Sequence, residues 1–356
     1  MKVAIIGLGL IGGSWGLALR RWGKSEEGKS IKLEIVGFDV KATQRSEAEK
    51  QGVCDRTTAT PMEAVQGADV IIIATPPAAV RETFEDIADH LVNGAIITDT
   101  ASTKRQVLRW AKELLPTTVS FIGGHPMAGK TSSLEGATAD LFKNCIYCLV
   151  PAPTAREEAI EAVARLVEII GAKSHFIDPD EHDSYVAAIS HLPFLMSAAL
   201  TNLTSESEGW REISKLTAGG YQDATRLSGG SVPMHLDICR TNSDAIIGWL
   251  DRYQRNLSEL RTMLENAGMI DERGRSRSLE STNSVPLQEY LERARLARER
   301  WEEEKARQPE RDEMAEVVNM PSKRELQAEY TRMFTGGFFG KRRSNDNGSN
   351  EQPRKK

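Results

Sequence analysis

The chain has 356 residues, a formal charge of −5 and 40% hydrophobic residues, which is typical of a soluble protein with room for two modest domains. No strongly basic stretch dominates the body of the chain, which argues against nucleic-acid binding. The four cysteines lack a disulfide-framework spacing, and no second ligand pair follows the single C-x-x-C. Since the first residues run directly into an apolar segment, we expect a cytoplasmic protein without a signal peptide, with reduced cysteines and no metal site.

The first predicted element is an apolar strand over residues 2–6, and a helical pattern over residues 13–22 comes soon after it. A G-x-G-x-x-G sequence joins the two. Between a strand and a helix, this sequence lets backbone N–H groups and the helix N-terminus bind a pyrophosphate, whereas the alternative is a glycine turn that serves packing alone. The expected cofactor-binding residues are Gly7, Leu8, Gly9, Leu10, Ile11 and Gly12.

The next predicted strand, over residues 31–38, ends in Asp39. A carboxylate at this place accepts hydrogen bonds from ribose hydroxyls and repels a 2′-phosphate, which favours NAD over NADP. The distance from the glycines is longer than usual, and a polar surface insertion over residues 23–30 accounts for the excess. Lys41 and Arg45 are close in sequence and keep NADP open as an alternative.

Strands and helices then alternate as far as residue 178, with a helix-start signature at Thr60-Pro61-Met62-Glu63. One buried strand ends at Thr75, which we also expect at the cofactor site. The alternation predicts an α/β fold with a doubly wound parallel sheet of the Rossmann type. Its later elements are predicted over residues 69–74, 95–99, 157–170 and 173–177.

The segment Gly123-Gly124-His125-Pro126-Met127-Ala128-Gly129 comes after an apolar run over residues 119–122 that predicts a strand. We expect His125 on a sharp loop just beyond the carboxyl end of this strand, where ligands bind in open parallel sheets. Histidine titrates near neutrality, so it is suited to moving a proton there. The alternative is a turn in which the histidine caps a backbone group.

Beyond Pro179 the sequence predicts helices. The apolar pattern over residues 185–203 contains His191 and Pro193, and its repeated polar interruptions argue against a membrane span. Pro193 cannot donate a hydrogen bond, so we expect a kink beside His191. This kink indicates either a pocket or a bent core helix with a histidine bonded to backbone. Further on, Arg226 offers a planar fork suited to a carboxylate.

Taken together, six segments resemble the prephenate dehydrogenase family of tyrosine biosynthesis, which includes the arogenate dehydrogenases. They extend from the start of the chain to about Gly268, in the order found in the family. The segments are Gly7 to Gly12, Asp99-Thr100-Ala101-Ser102-Thr103-Lys104, Gly123 to Gly129, His182-Asp183, Ser190-His191-Leu192-Pro193 and Gly219 to Arg226.

The resemblance implies a nicotinamide-binding domain, an all-helical dimerisation domain and a substrate bound between them. Carried over to this chain, His125 would take a proton from the 4-hydroxyl of the cyclohexadienyl ring. Ser102 would hydrogen-bond His125 or the same hydroxyl, although a helix-capping role is the alternative. Arg226 would bind a substrate carboxylate, and His191 would line the same pocket.

Two positions depart from the family pattern. Phe194 stands where members often have a second histidine. Thr131, which we expect at the rim of the substrate pocket, stands where some members have an acidic or imidazole side chain. The choice between the keto acid prephenate and the amino acid arogenate is therefore left open.

We accordingly expect NAD-dependent oxidation and decarboxylation of prephenate to 4-hydroxyphenylpyruvate. Arogenate oxidation is one alternative. Another is a two-domain dehydrogenase of β-hydroxy acids, which would need a catalytic lysine on the interdomain helix, but none occurs between Ser184 and Arg211. A non-catalytic NAD-binding regulator would not require His125, His191 and Arg226 together.

The expected domains are a Rossmann domain over residues 1–178, a helical substrate and dimerisation domain over 179–270, and a charged, largely flexible extension over 271–356. Residues 286–305 in this extension show a helical pattern with apolar residues on roughly one face. It predicts either a solvated, partly formed helix or one that packs on a partner subunit.

Overall fold

The structure is a computed structural model that describes residues 1–129, 132–270, 273–278 and 282–314. An eight-stranded sheet organises its N-terminal part. The strands are β1 (Lys2–Ile6), β2 (Glu34–Phe38), β3 (Arg56–Thr57), β4 (Val70–Ile73), β5 (Ile96–Asp99), β6 (Ser120–Pro126), β7 (Ile146–Pro151) and β8 (Lys173–Phe176). Their order is β3-β2-β1-β4-β5-β6-β7-β8, with every neighbouring pair parallel except the antiparallel β6 and β7.

Apolar clusters cover both faces of this sheet, because successive side chains of a strand point to opposite faces. In β1, Val3 and Ile5 enter one cluster, whereas Ala4 and Ile6 enter the other. The predicted doubly wound sheet is thus confirmed. Its helices are α1 (Leu10–Gly23), α2 (Ala42–Lys50), α3 (Pro61–Val65), α4 (Pro77–Ile87), α5 (Arg105–Leu114) and α6 (Glu157–Ile169).

The C-terminal part is helical, as predicted. Between α7 and α8, the expected irregularity is a π-helical turn over Ala187–His191, directly before Pro193 at the start of α8. Because Pro193 has no N–H to complete the helical hydrogen bonding, the wider π-helical turn accommodates the missing bond. His191 is the last residue of this turn. The helices are α7 (Pro179–Val186), α8 (Leu192–Ser205), α9 (Trp210–Ile213), α10 (Gly219–Thr225), α11 (Val232–Thr241), α12 (Ser243–Ala267) and α13 (Val285–Met314).

The prediction that His125 lies on a loop is wrong, because β6 continues through Pro126. The antiparallel strand β7 supplies the pairing partners, and His125 stands opposite Cys148. The preceding Gly124 permits a close approach of two strands, since a Cβ there would lie 2.4 Å from the carbonyl oxygen of Asp99. His125 is therefore held by a sheet ladder rather than by a mobile turn.

By length and composition alone, Pro179–Ser205 could cross a membrane, a test that core helices also pass. In this structure, the stretch carries the buried polar side chains of His182, Asp183 and His191. Further along, α13 packs on α12, and the Tyr290 hydroxyl donates to Asn256 Oδ1 at 2.6 Å. Residues 315–356 lie outside the described part of the chain, so flexibility there stays a prediction.

Candidate active site

Two histidines and an aspartate form a continuous hydrogen-bonded row. His125 Nδ1 lies 2.9 Å from His182 Nε2, and His182 Nδ1 lies 2.8 Å from Asp183 Oδ1. His125 is half-buried, whereas the other two side chains are buried. Burial first, and then the charges of His182 and Lys104, hold the pKa of His125 well below its ordinary value. The row therefore presents a neutral imidazole at its outer end.

Asp183, at the inner end of the row, is held by backbone of the other domain. Its carboxylate accepts from the backbone N–H of Lys104 at 2.7 Å and that of Arg105 at 3.0 Å, at the start of α5. Burial raises the pKa of Asp183, but the hydrogen bonds from His182 and from these backbone groups outweigh it and leave the pKa below its ordinary value. Asp183 is thus an ionised acceptor that also caps a helix.

The strand that carries His125 is anchored by a buried ion pair. Lys104 Nζ donates to Asp99 Oδ2 at 2.5 Å and to the carbonyl of Gly124 at 2.6 Å. Asp99 Oδ1 in turn accepts from the backbone N–H of Gly124 at 3.0 Å. Both charged side chains are fully buried. Because the residue before His125 is bonded through both its N–H and its carbonyl, the pair fixes the position of this histidine.

Arg105 joins the two domains at the edge of the site. Its Nε donates to Asp183 Oδ2 at 3.2 Å, and its two terminal nitrogens donate to Asp244 at 2.7 and 2.6 Å. Nη2 also donates to Asn242 Oδ1 at 2.9 Å. A planar guanidinium can satisfy such a set of separate acceptors at once, which an ammonium cannot. One side chain therefore connects the start of α5 with α7 and with the start of α12.

His191 is buried beside this junction. Its Nδ1 lies 3.2 Å from Asn242 Nδ2, and its Nε2 has no hydrogen-bond partner among the described residues. Burial lowers the pKa of His191 to about 4, with the Asp183 charge acting in the opposite direction. The ring is therefore neutral near neutral pH.

The glycine loop has the geometry of a dinucleotide cradle. Gly7 has a φ of +96°, and a Cβ on Gly12 would lie 1.9 Å from the carbonyl oxygen of Gly7, so these positions require glycine for the loop to fold. A Cβ on Gly9 would meet nothing within 4 Å, which leaves space at the start of α1 for a ligand. The helix N-terminus has no side-chain cap and no acidic residue in its first turn, which suits a pyrophosphate.

The other predicted cofactor residues adjoin this loop. Asp39 Oδ2 accepts from the backbone N–H of Leu8 at 3.0 Å, so the carboxylate is held against the loop. Arg45 donates to the backbone carbonyl of Asp39 at 2.6 Å. Thr75 follows β4, and its buried Oγ1 has no partner among the described residues. These residues fit a nicotinamide dinucleotide.

The remaining predicted site residues do not join the histidine row. Among the described residues, Ser102 has no hydrogen-bond partner, and Lys104 at the N-cap of α5 makes no side-chain capping bond. Arg226 is exposed at the start of a 3₁₀ turn, with no described residue paired to its guanidinium. Two residues on, the Ser228 N–H donates to Ser197 Oγ at 3.0 Å, which docks this turn on α8. Thr131 lies outside the described residues.

Sequence reasoning assigned no role to Asp183 or His182, the central residue of the row. The adjacent pair His182-Asp183 was a visible signal in the sequence, but His125, to which His182 is bonded, is 57 residues away. Arg105 and Asn242 also went unrecognised, because the bond between them spans 137 residues. No group of three or more His, Cys, Asp or Glu side chains suited to a metal ion occurs in the part of the chain that the structure describes.

Comparisons with known proteins fit this arrangement. The family model for the prephenate dehydrogenase nucleotide-binding domain matches residues 15–176, and that for the dimerization domain matches residues 178–272. A prephenate dehydrogenase of Bacillus subtilis is 35% identical over 268 residues, which cover 74% of this chain and 70% of that protein.

Solved structures agree in fold. Prephenate dehydrogenase from A. aeolicus in complex with hydroxyphenyl propionate and NAD+ has 25% identity and a TM-score of 0.73, with coverage of 84% of this chain and 98% of that one. Synechocystis arogenate dehydrogenase has 27% identity and a TM-score of 0.65, with coverage of 88% and 100%. From the matched domains and the identity to its relatives, the chain belongs to the prephenate dehydrogenase family.

Proposed function

We propose that this protein catalyses the NAD-dependent oxidative decarboxylation of prephenate to 4-hydroxyphenylpyruvate in tyrosine biosynthesis. The cofactor supplies the hydride acceptor for C4 of the ring. The ring hydroxyl loses its proton as the hydride leaves, the ring carboxylate departs as CO2 and its bonding electrons make the ring aromatic. The phenolate oxygen then regains the proton. The protein has to position two ligands, move one proton and bind carboxylates.

The observation that carries this proposal is the His125–His182–Asp183 row. Ionised Asp183 accepts from Nδ1–H of His182, so the lone pair of a singly protonated His182 ring lies on Nε2. This lone pair accepts from Nδ1–H of His125. The remaining nitrogen of His125, Nε2, is then unprotonated, which is the form a general base requires.

The row also gives the accepted proton a favourable destination. A positive charge on His125 is disfavoured by burial and by Lys104. When Nε2 of His125 takes the substrate proton, the proton on its Nδ1 can move to His182, where the ionised Asp183 stabilises the charge. Reversal of these steps returns the proton to the phenolate oxygen.

Two charged side chains, Asp39 and Arg226, support the choice of cofactor and the binding of the substrate. The Asp39 carboxylate next to the glycine loop suits ribose hydroxyls and disfavours a 2′-phosphate, which supports NAD as the cofactor. Arg226 has a free guanidinium among the described residues, and we assign it to a substrate carboxylate. Ser102 is assigned to the substrate hydroxyl rather than to His125, whose Nδ1 is occupied.

The experiment that tests this function is the measurement of NADH formation with prephenate and with arogenate, each with NAD and NADP. We expect turnover of prephenate with NAD. His125→Asn retains a polar group but cannot serve as the base, so its kcat should fall about 10²–10⁴-fold with little change in KM. His175→Asn, on β8 and outside the row, is the control. Near-normal turnover by His125→Asn would contradict the assignment of the base.

Arogenate is the second candidate substrate, because the structural relatives include an arogenate dehydrogenase. The two substrates differ at the side chain, where arogenate has an amine in place of the keto oxygen. A higher kcat/KM for arogenate than for prephenate would select this alternative.

The proposal includes a homodimer, formed through the helical domain, in the cytoplasm. The matched dimerization domain supports the assembly, as do exposed apolar side chains on the helical elements, among them Ile189, Leu203, Leu216 and Val232. Sedimentation equilibrium should give twice the mass of the chain. A monomer at micromolar concentration would contradict this part of the proposal.

A further inference from the structure

The two ring nitrogens of His191 have different surroundings. Nδ1 is bonded to Asn242, whereas Nε2 is buried without a hydrogen-bond partner among the described residues. Buried polar atoms in folded proteins are almost always paired with protein, water or ligand. An unpaired nitrogen on a buried histidine of the candidate active site therefore points to a bound molecule.

The orientation of the Asn242 amide is determined by its neighbours. Arg105 Nη2 can only donate, so the atom 2.9 Å from it must be the amide oxygen. The amide nitrogen then lies 2.7 Å from the carbonyl of Asp183 and 3.2 Å from His191 Nδ1. It has two protons for these two acceptors. His191 Nδ1 is consequently an acceptor, and the ring proton resides on Nε2.

A single ring proton is expected from the surroundings of His191. Burial, opposed by the charge of Asp183 and assisted by His182 and His235, lowers its pKa to about 4. The neutral ring thus has one donor, and Asn242 decides where that donor lies.

We propose that Arg105 and Asn242 are positioning residues that fix His191 as an Nε2–H donor to an oxygen of the substrate. This inference rests on the proposed function. The same guanidinium also bonds Asp183, which orients the row that ends at His125. One arginine thereby supports two histidines of opposite hydrogen-bonding polarity: His191 donates to the substrate, and His125 accepts from it.

The direct test is the tautomer of His191 in the unmodified protein. Two-bond nitrogen–proton couplings in a nitrogen-15 histidine-labelled sample distinguish Nε2–H from Nδ1–H rings, and loss of signals in His191→Gln assigns this residue among the six histidines. We expect the Nε2–H form. An Nδ1–H ring overturns the inference, whatever the enzyme turns over.

Asn242→Asp tests the consequence for binding with almost no change in shape. A carboxylate loses the bond to the Asp183 carbonyl but accepts from both Arg105 and His191, so the ring proton should move to Nδ1 and leave a lone pair on Nε2 facing the substrate oxygen. We expect the KM for prephenate to rise about tenfold to a hundredfold, with the KM for NAD unchanged. An unchanged KM for prephenate despite a switched tautomer overturns the inference.

Arg105→Lys provides a milder change, since lysine can pair with an aspartate but lacks the planar fork that orients Asn242. A mixture of His191 tautomers and an intermediate rise in the KM for prephenate are expected. Arg81→Lys, at an exposed pair with Glu85 on α4, is the matched control. A pure Nε2–H ring in Arg105→Lys would remove Arg105 from the proposal. Absence of turnover by the unmodified protein would contradict the proposed function alone, because the tautomer is measured without substrate.

Discussion

His125 Nδ1 and His182 Nε2 lie 2.9 Å apart, although the first residue is on β6 of the sheet and the second is on α7 of the helical domain. The proposed proton acceptor and the residue that we assign to orient it therefore come from different domains. Their relative position depends on how the domains dock, and Asp183, which accepts from the backbone of Lys104 and Arg105, contributes to that docking. The hydrogen-bonded row is therefore complete only when the two domains are docked.

Asp183→Asn should lower kcat about 10²–10⁴-fold. Arg105 donates to one oxygen through both its backbone N–H and its Nε, so the asparagine oxygen should take that side. The amide nitrogen would then replace Oδ1, lose the bond from the Lys104 N–H and donate to His182 Nδ1. The proton of His182 would move to Nε2, and His125 would then be protonated at Nε2 and unable to act as the base. Steady-state kinetics, with thermal unfolding to verify folding, check this outcome. Glu181→Gln, an exposed charge on the same helix, should retain normal kcat.

The pH dependence of kcat/KM should have its acid limb below pH 6.5, the ordinary pKa of histidine. Burial, His182, Lys104 and His191 all lower the pKa of His125, and the neutral form is the active one. Activity is therefore retained as the pH falls through 6.5 and is lost only at lower pH. An acid limb at or above pH 6.5 would mean that the base is a different group or is exposed to solvent.

Asp39→Asn should reduce the preference for NAD over NADP, expressed as the ratio of kcat/KM values, by about tenfold or more. The amide oxygen can still accept from the Leu8 N–H, so the loop keeps its shape while the repulsion of a 2′-phosphate disappears. Glu47→Gln removes an exposed charge from α2 and should leave the ratio unaltered. Preference of the unmodified protein for NADP would contradict the assignment, with Lys41 or Arg45 then dominating the site.

Arg226→Ala should raise the KM for prephenate about tenfold to a hundredfold, because a charge-assisted hydrogen bond contributes roughly 1.5–3 kcal/mol. Arg226→Lys should recover only part of the loss, since lysine cannot form two parallel bonds. Calorimetric titration with NAD should give an unchanged Kd for both variants. Arg211→Ala, on α9, is the control. Equal damage to NAD and prephenate binding would assign Arg226 to domain packing instead.

Lys104→Met should lower the free energy of unfolding by about 3–5 kcal/mol, because it leaves the buried Asp99 carboxylate without its cation. Urea titration measures the difference. Arg81→Met breaks an exposed pair with Glu85 and should cost no more than about 1 kcal/mol. A Lys104→Met loss as small as that of the control would show that Asp99 is satisfied by its backbone donors.

Local patterns predicted much of the fold. The sequence predicted the strand at residues 2–6 and the capped start of α3, because both depend on neighbours within a few residues. At the start of α3, Thr60 accepts from the backbone N–H of Glu63. The irregular turn before Pro193 was predictable for the same reason, since proline lacks the N–H that a regular helix needs. The glycine loop and the position of Asp39 likewise followed from one strand-helix-strand unit.

The sequence by itself determined the fold class, and it predicted the cofactor loop and a proton-transfer role for His125. Only the tertiary structure decided that β6 extends through His125, because its added pairing partner comes from β7. It also decided that His182 and Asp183 form a hydrogen-bonded row with His125 and that Arg105 reaches Asn242 across 137 residues. Periodicity indicates which face of an element is apolar, whereas these contacts join residues far apart in sequence and depend on strand pairing and on how the helices pack against the sheet.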